Sequence, residues 1–236
     1  MPTDLELMHM HARALFTYNA GSRLVFVNEP NGAPVSAPRL FLGRTPAGNI
    51  WRFRADVSGE IVKELNVLCA SEPPVDADSD EPPRYLDEIV RLLEKQSPVE
   101  KICGGPAYQF ADYEMPSKNS LTAVTRDNAE ILKNGFEDLV ADVAVEQPFI
   151  AITEENRAVS VCRSVRITRE AHEAGLETLP EFRGKGYAAD VTSEWARRVR
   201  ASCALSLYST SWENKASQAV ARKLRLRCYG SDFEII

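Results

Sequence analysis

Apolar side chains recur along this chain with two spacings, one typical of helices and the other typical of strands. Spacings of three and four residues predict helices over residues 58–69, 84–96, 127–140 and 187–200, and a further helix after the capping-box pair Thr210 and Glu213. Short apolar or alternating runs predict strands within residues 24–27, 39–42, 51–55, 108–110, 117–124, 148–153, 158–165, 171–179, 204–208 and 228–236. The mixture predicts an α/β (α+β) fold.

One segment interrupts this pattern. Residues 71–83 carry five acidic residues, four prolines and no basic residue. A segment of this composition buries too little apolar surface to offset its ordering entropy, so we expect a mobile loop. We interpret residues 1–100 as an N-terminal α+β region and residues 101–236 as a second domain.

Composition and charge narrow the classes of function. The chain has 236 residues, is 44% hydrophobic and carries a formal net charge of -6, which argues against a nucleic-acid-binding surface. No apolar run approaches the roughly 18 residues of a membrane span, and the acidic N-terminus lacks the order of a signal peptide. Five cysteines lie far apart without a CxxC pair, which favours reduced thiols in a cytoplasmic protein over disulfides or a metal site. We interpret Cys203 and Cys228 as buried apolar residues.

The stretch PEFRGKGYAADV, residues 180–191, lies between a predicted strand and a predicted helix. The first amides of a helix have no partner within the helix, and the helix dipole adds positive charge there. Gly184 and Gly186 lack the Cβ atoms that hold a ligand off the backbone, while Arg183 and Lys185 add charge. The stretch therefore predicts an anion site, most often for phosphate, with a solvated turn as the alternative. It matches neither the Walker loop nor the dinucleotide-binding glycine pattern.

Together with the elements around it, this stretch resembles the GNAT superfamily, the acyl-CoA-dependent N-acetyltransferases. Residues 183–188 fit that family's Arg/Gln-x-x-Gly-x-Gly/Ala pyrophosphate loop, and residues 176–180 stand where its central strand ends before a proline. Asn214, followed by small residues and then Lys223 and Leu224, is similar to the family's second segment on the coenzyme side. The resemblance covers residues 118–236, and residues 1–100 are not explained by it.

The resemblance implies a mixed, mostly antiparallel sheet flanked by helices, preceded by the extra N-terminal region. It implies acetyl-CoA as the cosubstrate, no metal, and direct transfer of the acetyl group to an amine. Main-chain groups of residues 176–178 are expected to pair with the pantetheine arm where two strands splay apart. The implied coenzyme-binding residues are Leu176, Thr178, Leu179, Arg183, Gly184, Lys185, Gly186, Tyr187, Ala188, Asn214 and Ser217.

Candidates for the base follow from the same resemblance. His172, Glu173 and Glu177 lie in or near the central strand, and Glu177 is preferred because it lies near the thioester end of the implied coenzyme track. A structural ion pair is the alternative role for Glu177. The ordinary pKa of histidine suits proton transfer at neutral pH, and a surface or core histidine is the alternative for His172.

The chain departs from the family at two positions near the implied site. Many members place a tyrosine acid seven residues after the Asn, where this chain has Ala221. Tyr208, on the neighbouring predicted strand, or Tyr229 is then the candidate acid. Arg225 stands where the family usually has a helix-ending glycine, which weakens the signal for the end of that helix.

The sequence thus predicts a cytoplasmic N-acetyltransferase that acts on the primary amine of a small molecule or a peptide. No nucleic-acid or membrane partner is expected, and a homodimer is left open. The missing tyrosine and the N-terminal region keep a second hypothesis open, a non-catalytic binding or regulatory module that responds to CoA. A nucleic-acid-binding role for the Arg-Gly-Lys-Gly turn is a third hypothesis, which the acidic charge opposes.

Overall fold

The protein is described here by a computed structural model that covers residues 2–110, 119–202 and 204–236. Part of the strand predicted within residues 117–124 and Cys203, which was interpreted as a buried apolar residue, lie outside the described residues. The described chain contains no helix that is long and apolar enough to cross a membrane.

The chain begins with a helix that the apolar pattern did not predict. Helix α1 spans Asp4–Leu15, and Thr3 caps it in a capping box with Glu6. A small antiparallel sheet of β1 (Phe16–Tyr18) and β2 (Leu24–Val27) follows. Helix α1 contains two histidines together with methionines and leucines. Its buried face therefore combines polar and apolar side chains.

Nine strands form the main sheet in the part of the chain that the structure describes. Their bounds are β3 (Leu40–Thr45), β4 (Gly48–Phe53), β5 (Ile102–Gln109), β6 (Thr122–Ala123), β7 (Phe149–Glu154), β8 (Arg157–Ile167), β9 (Ala171–Thr178), β10 (Leu205–Ser209) and β11 (Arg227–Ile235). They lie in the order β4-β3-β11-β5-β10-β9-β8-β7-β6. Only the β9–β10 pair is parallel among the pairs of this sheet that the structure describes. The predicted mixed, mostly antiparallel sheet flanked by helices is confirmed.

Helices cover both faces of the sheet, because consecutive strand residues point to opposite faces. Leu207 of β10 packs with α1, whereas the next residue, Tyr208, packs with Trp195 on the opposite face. The helices after α1 are α2 (Gly59–Ser71), α3 (Leu86–Glu94), α4 (Tyr187–Ala201) and α5 (Lys215–Lys223). The face that α1 covers continues over β7 and β8, where short 3-10 helices pack through Leu132 and Leu139.

Two predicted helices differ from those observed. Residues 127–140 form two 3-10 helices, Arg126–Leu132 and Glu137–Asp142, instead of one α-helix. Asn134 and Gly135 between them both have positive φ, at 70° and 157°, which no α-helix accommodates. The helix predicted after Thr210 begins only at Lys215, because Asn214 caps it in place of Thr210.

The acidic segment has no helix or strand, yet it is held against the fold. Glu72 is buried, and its carboxylate accepts hydrogen bonds from the backbone amides of Arg84 and Tyr85. Its side chain lies 3.6 Å from the guanidinium of Arg44, which is also buried and donates to the Glu81 carbonyl. These contacts hold both ends of the segment against the fold, so the expectation of a mobile loop is wrong. Residues 71–83 are called the anchored strap below.

The two predicted domains share one sheet. Strands β3 and β4 come from the first 100 residues, and β11 pairs with β3 on one side and with β5 on the other. The boundary at residue 100 stays a prediction, but the sheet runs across it without interruption. Helices α2 and α3 pack on this part of the sheet through Leu40, Phe53 and Ile235.

Candidate functional site

The two parallel strands of the sheet part from each other halfway along β9. They pair at Ala171–Leu205, His172–Ser206 and Glu173–Leu207, and nowhere further among the described residues. Strand β9 continues to Thr178 in pairing with β8, while β10 continues to Ser209 in pairing with β5. From Ala174 onward, the edge of β9 that faces β10 therefore has main-chain groups available to a ligand.

A cavity of about 650 Å³ fills this fork. Its walls come from the second half of β9, the turn before α4, the end of β10 and the start of α5. Every predicted coenzyme-binding residue except Lys185 lines the cavity, and so do the predicted catalytic residues Glu177 and Tyr208. His172 does not line it. Gly135 and Phe136, between the two 3-10 helices, complete the lining, so residues from five separate segments surround one space.

The turn before α4 presents a row of free amides to this cavity. Within the described chain, the backbone N–H groups of residues 184–188 donate no hydrogen bond, and no side chain caps the helix. Gly184 and Gly186 have φ of 78° and 90°, and a Cβ added to Gly184 meets no atom within 4 Å. Five free amides at a helix N-terminus, beside glycines that leave the approach open, form a site for an anion.

The two lysines near this turn occupy different places. The Lys185 ammonium lies 4.5 Å from the centre of the Phe182 ring, so it stacks on an aromatic side chain and stays outside the cavity lining. The Lys223 ammonium, from the last turn of α5, lies 2.9 Å from where a Cβ on Gly186 would be. Sequence reasoning missed Lys223 as a charge at the anion site, because its contact with the turn depends on the packing of α5.

Strand β10 and helix α5 meet at a short hydrogen bond beside the cavity. The Tyr208 hydroxyl and Ser217 Oγ are 2.6 Å apart, and burial raises the pKa of Tyr208 to about 12. The Ser217 amide donates to Asn214 Oδ1, so Asn214 caps α5 at the cavity wall. Tyr208 therefore remains protonated at neutral pH and has a proton to give. Tyr229, the other candidate acid, is buried under α1 on the opposite face.

The preferred base, Glu177, is engaged in an ion pair. Its half-exposed carboxylate lies 2.7 Å from the Arg163 guanidinium, which also binds the buried carboxylate of Glu146. The structural ion pair considered as the alternative role of Glu177 is what the structure contains. Burial raises the pKa of Glu146, although Arg163 opposes the shift.

His172 is held beneath α4, away from the cavity lining. Its Nδ1 lies 2.9 Å from Ser164 Oγ, which also accepts a hydrogen bond from Trp195 Nε1. Burial lowers the pKa of His172 below its ordinary value. His172 is therefore a half-buried histidine whose Nδ1 is hydrogen-bonded, outside the cavity lining.

Glu173 is the third acidic or basic candidate on β9, and it lies at the point of the fork. It is the last β9 residue paired with β10, its neighbour Ala174 lines the cavity, and its side chain is buried on the α1 face. Neither carboxylate oxygen has a hydrogen-bond partner among the described residues. Its Oε2 nevertheless lies 3.4 Å from His11 Nδ1 on α1, and His11 Nε2 lies 3.0 Å from Asp232 Oδ2, so Glu173 belongs to a buried ionic cluster and not to the cavity lining.

The end of α5 keeps its usual geometry although Arg225 replaces a glycine. Arg225 has a left-handed φ of 52°, and the Leu226 amide donates to the Ala221 carbonyl. This is the bond of a Schellman motif, which normally places glycine in the left-handed position. The helix therefore ends with the expected geometry although Arg225 replaces a glycine, and Ala221 is a buried residue of α5.

The residues present fit acetyl-CoA. A diphosphate needs several donors and little steric obstruction, which the amides of residues 184–188 provide. An extended arm with two amide groups needs a free strand edge, which β9 provides beyond Glu173. Within the described ranges, no group of three or more His, Cys, Asp or Glu side chains is arranged to hold a metal ion.

No protein-family model matches the chain, and no curated protein matches it in sequence. Solved structures do match it. A GCN5-related N-acetyltransferase-like protein from Streptococcus suis 89/1591 is 14% identical with a TM-score of 0.50, over 98% of this chain and 99% of that one. A GNAT-family protein from Novosphingobium aromaticivorans DSM 12444 is 16% identical with a TM-score of 0.45, over 58% of this chain and 65% of that one. A GNAT-family acetyltransferase from Colwellia psychrerythraea is 13% identical with a TM-score of 0.43, over 62% of this chain and 60% of that one.

These similarities concern the fold, because the sequence identities are low. The chain spans less than two thirds of the length of the Novosphingobium and Colwellia proteins, whereas the Streptococcus suis protein matches it nearly from end to end. The resemblance drawn from residues 183–188 and 214 is therefore confirmed by the architecture around them. The chain has the GNAT fold.

Proposed function

We propose that the protein is an N-acetyltransferase that moves an acetyl group from acetyl-CoA to a primary amine by direct transfer. One observation carries the proposal: the fork between β9 and β10 opens into a cavity of about 650 Å³ that reaches the turn before α4, where the amides of residues 184–188 donate no hydrogen bond within the described chain. A site of that shape takes a long ligand with an anionic group at one end. The fold of the chain agrees with this activity.

The chain's own groups would hold the cosubstrate in three places. The amides of residues 184–188 bind the diphosphate, and the Lys223 ammonium adds charge beside them. The free edge of β9 at residues 176–178 pairs with the amides of the pantetheine arm. Asn214 and Ser217 line the cavity at the start of α5, where Asn214 Oδ1 accepts the hydrogen bond of the Ser217 amide.

When bound, acetyl-CoA supplies a thioester whose carbonyl carbon bonds to the amine nitrogen while the carbon–sulfur bond breaks. The chain must then remove one proton from the nitrogen. Glu177 lines the cavity, but its carboxylate is bound to Arg163. Glu173 lies at the point of the fork, but its carboxylate is buried on the α1 face, 3.4 Å from His11 Nδ1, so Glu177 is the one of the two that lines the cavity where the amine would bind.

The leaving thiolate needs a proton donor, and Tyr208 is placed to be one. Its hydroxyl lies on the cavity side of β10, 2.6 Å from Ser217 Oγ. The raised pKa of about 12 keeps the hydroxyl protonated at neutral pH. Tyr208 would take the place of the tyrosine that the chain lacks at Ala221.

The proposed function is tested by release of free thiol from acetyl-CoA over a panel of small amines and peptides. Amine-dependent thiol release, with the acetylated amine identified by mass spectrometry, supports the proposal. Tight binding of CoA in calorimetry without transfer to any amine in the panel favours the non-catalytic module instead. Absence of CoA binding contradicts both.

A further inference from the structure

The cavity in the fork closes at its inner end, where the two parallel strands meet. Ala174 and Tyr208 line the cavity there, but the residues one step further inward, Glu173 and Leu207, do not. Ala174 is 9% exposed and Tyr208 is 2% exposed, so both side chains are packed into the protein around this end. The cavity therefore ends against the side chains of Ala174 and Tyr208.

A layer of buried aromatic rings lies behind this inner end. The centre of the Phe110 ring lies 6.5 Å from that of Tyr208 and 5.8 Å from that of Trp195. Tyr108, the cross-strand neighbour of Tyr208, places a further ring at 6.4 Å. Ala174 packs in the same hydrophobic core cluster as these rings. Neither Phe110 nor Trp195 lines the cavity, so the rings close it off.

Hydrogen bonds and packing hold these rings in place. Trp195 Nε1 donates to Ser164 Oγ at 3.0 Å, and the Tyr208 hydroxyl lies 2.6 Å from Ser217 Oγ. Trp195 is completely buried, and Phe110 is nearly so. Protein interiors are close-packed, and extra methylene groups force neighbouring side chains away from their preferred rotamers. The inner end of the cavity therefore has a fixed depth.

The distance from the anion site identifies which part of a ligand reaches this end. The free edge of β9 runs from Ala174 to Thr178, about 13 Å at the usual rise of a strand, and the free amides of residues 184–188 follow its outer end. A pantetheine arm that pairs with this edge, with its diphosphate at those amides, directs its thioester inward. The acyl group lies beyond the sulfur, so it is the part that meets Ala174 and Tyr208.

We propose that the inner end of the fork is an acyl subsite that admits short acyl groups and excludes long ones, and that Ala174 sets its depth. This inference rests on the proposed function, in particular on binding of acetyl-CoA in the fork. The side chains of Ala174 and Leu176 and the ring of Tyr208 give the subsite an apolar lining, which suits an uncharged hydrocarbon group. The donors are therefore CoA thioesters of the smallest acyl groups, acetyl and propionyl.

The first test measures the affinity of the full-length protein for CoA, acetyl-CoA, butyryl-CoA and hexanoyl-CoA by calorimetry without an amine. A pocket of fixed size discriminates by about tenfold or more for each methylene group that it cannot hold. We expect the Kd of hexanoyl-CoA to be at least about tenfold higher than that of acetyl-CoA. Equal affinities for acetyl-CoA and hexanoyl-CoA overturn the inference.

The second test changes the depth of the subsite in both directions. Ala174→Val fills it, so we expect acetyl-CoA to bind at least about tenfold more weakly while the affinity for CoA changes by less than about threefold. Ala174→Gly deepens it, so the affinity for butyryl-CoA relative to acetyl-CoA should rise by about three- to tenfold. A loss of stability affects all ligands alike and cannot move these ratios in opposite directions. Unchanged ratios in both variants overturn the inference.

Ala216→Val is the matched control. Ala216 lines the same cavity at the start of α5, away from the inner end. The substitution should change the affinities for CoA and acetyl-CoA by the same factor, so that their ratio stays within about twofold of the wild-type ratio. A shift of this ratio as large as that in Ala174→Val contradicts the role of Ala174.

The outcomes separate this inference from the function on which it rests. Binding of acetyl-CoA without transfer to any amine overturns the proposed transfer, while the affinities for the thioesters still decide the acyl subsite. Equal kcat/KM for acetyl and hexanoyl transfer to the same amine overturns the inference alone. Absence of CoA binding overturns both. If Ala174→Val does not fold, the wild-type series and Ala174→Gly decide.

Discussion

Glu173 on β9 and Leu207 on β10 form the last paired position between the two parallel strands of the sheet. Their side chains lie on the α1 face, while the next residues, Ala174 and Tyr208, line the cavity on the other face. At the fork, one step along either strand therefore leads from one environment to a different one on the opposite face of the sheet. One is a buried ionic cluster, and the other is a cavity that ends in free amides.

A bulky side chain at Gly186 will block the anion site. Gly186 has a left-handed φ of 90°, and its missing Cβ faces the Lys223 ammonium. We expect Gly186→Trp to weaken CoA binding at least about tenfold, equivalent to roughly 1.4 kcal/mol. Isothermal calorimetry measures the change. Gly59→Trp is the matched control, because Gly59 also opens a helix but lies in open space. Equal affinity for wild type and Gly186→Trp contradicts the site.

Lys223 contributes charge to the same site. Its ammonium is close to the Gly186 backbone but is exposed to solvent, so its effect is modest and screened by salt. We expect Lys223→Ala to weaken CoA binding by about two- to fivefold at low salt and less at high salt. Lys215→Ala, at the other end of α5, is the control. A salt-independent loss, or the same loss in both variants, argues against a direct contact.

The anchored strap depends on a buried ion pair. Glu72→Ala leaves the Arg44 guanidinium buried without its counter-charge and removes acceptors from two backbone amides. We expect the free energy of unfolding to fall by about 3–5 kcal/mol, measured by urea denaturation. Asp80→Asn, an exposed acid of the same segment, should change it by less than about 0.5 kcal/mol. If Glu72→Ala is nearly as stable as the wild type, the segment is a mobile loop and the anchoring described here is wrong.

Arg225 is a position where substitution will stabilise the protein. A non-glycine residue in the left-handed conformation is strained, and glycine relieves that strain. We expect Arg225→Gly to raise the free energy of unfolding by about 1 kcal/mol. Ala219→Gly, at an exposed position in the interior of α5, should lower it by a similar amount, about 1 kcal/mol. If both substitutions destabilise the protein, the helix does not end in the geometry described.

The charge of His11 also makes stability depend on pH. Because the folded pKa, about 10, lies above the ordinary histidine value, protonation stabilises the fold fully below about pH 6.5. That contribution is lost as the pH rises towards 10. The difference in unfolding free energy between wild type and His11→Gln should therefore shrink between these limits. Urea melts at several pH values measure it, and a constant difference means that His11 is neutral when folded.

Sequence patterns predicted those parts of the fold that are determined by residues close together along the chain. The turn at residues 183–188 and the helix after it follow from glycines, a helical apolar stripe and a strand before them. The interrupted helix at 126–142 was missed because its apolar spacing is helical while Asn134 and Gly135 adopt left-handed conformations. Asn214 and Thr210 are both favourable N-cap residues, and only the tertiary structure determines that Asn214 caps α5.

The ionic cluster was beyond the reach of local patterns. His11 and Asp232 are separated by 221 positions, and neither lies in a motif. Their contact requires that α1 dock on the sheet and that β11 enter it between β3 and β5. A buried histidine and two buried carboxylates are ordinary residues in a linear sequence, and only their juxtaposition in the fold makes them an ionic cluster.

The place of β11 in the middle of the sheet governs how the chain is assembled during synthesis. Residues 40–45 have β11 as a neighbour, yet that strand leaves the ribosome only after residue 235 is translated. Until then the growing polypeptide displays open edges on β3 and β5, to which other nascent chains can attach. Slow growth at low temperature, or co-production of a holding chaperone, should therefore increase the yield of folded material.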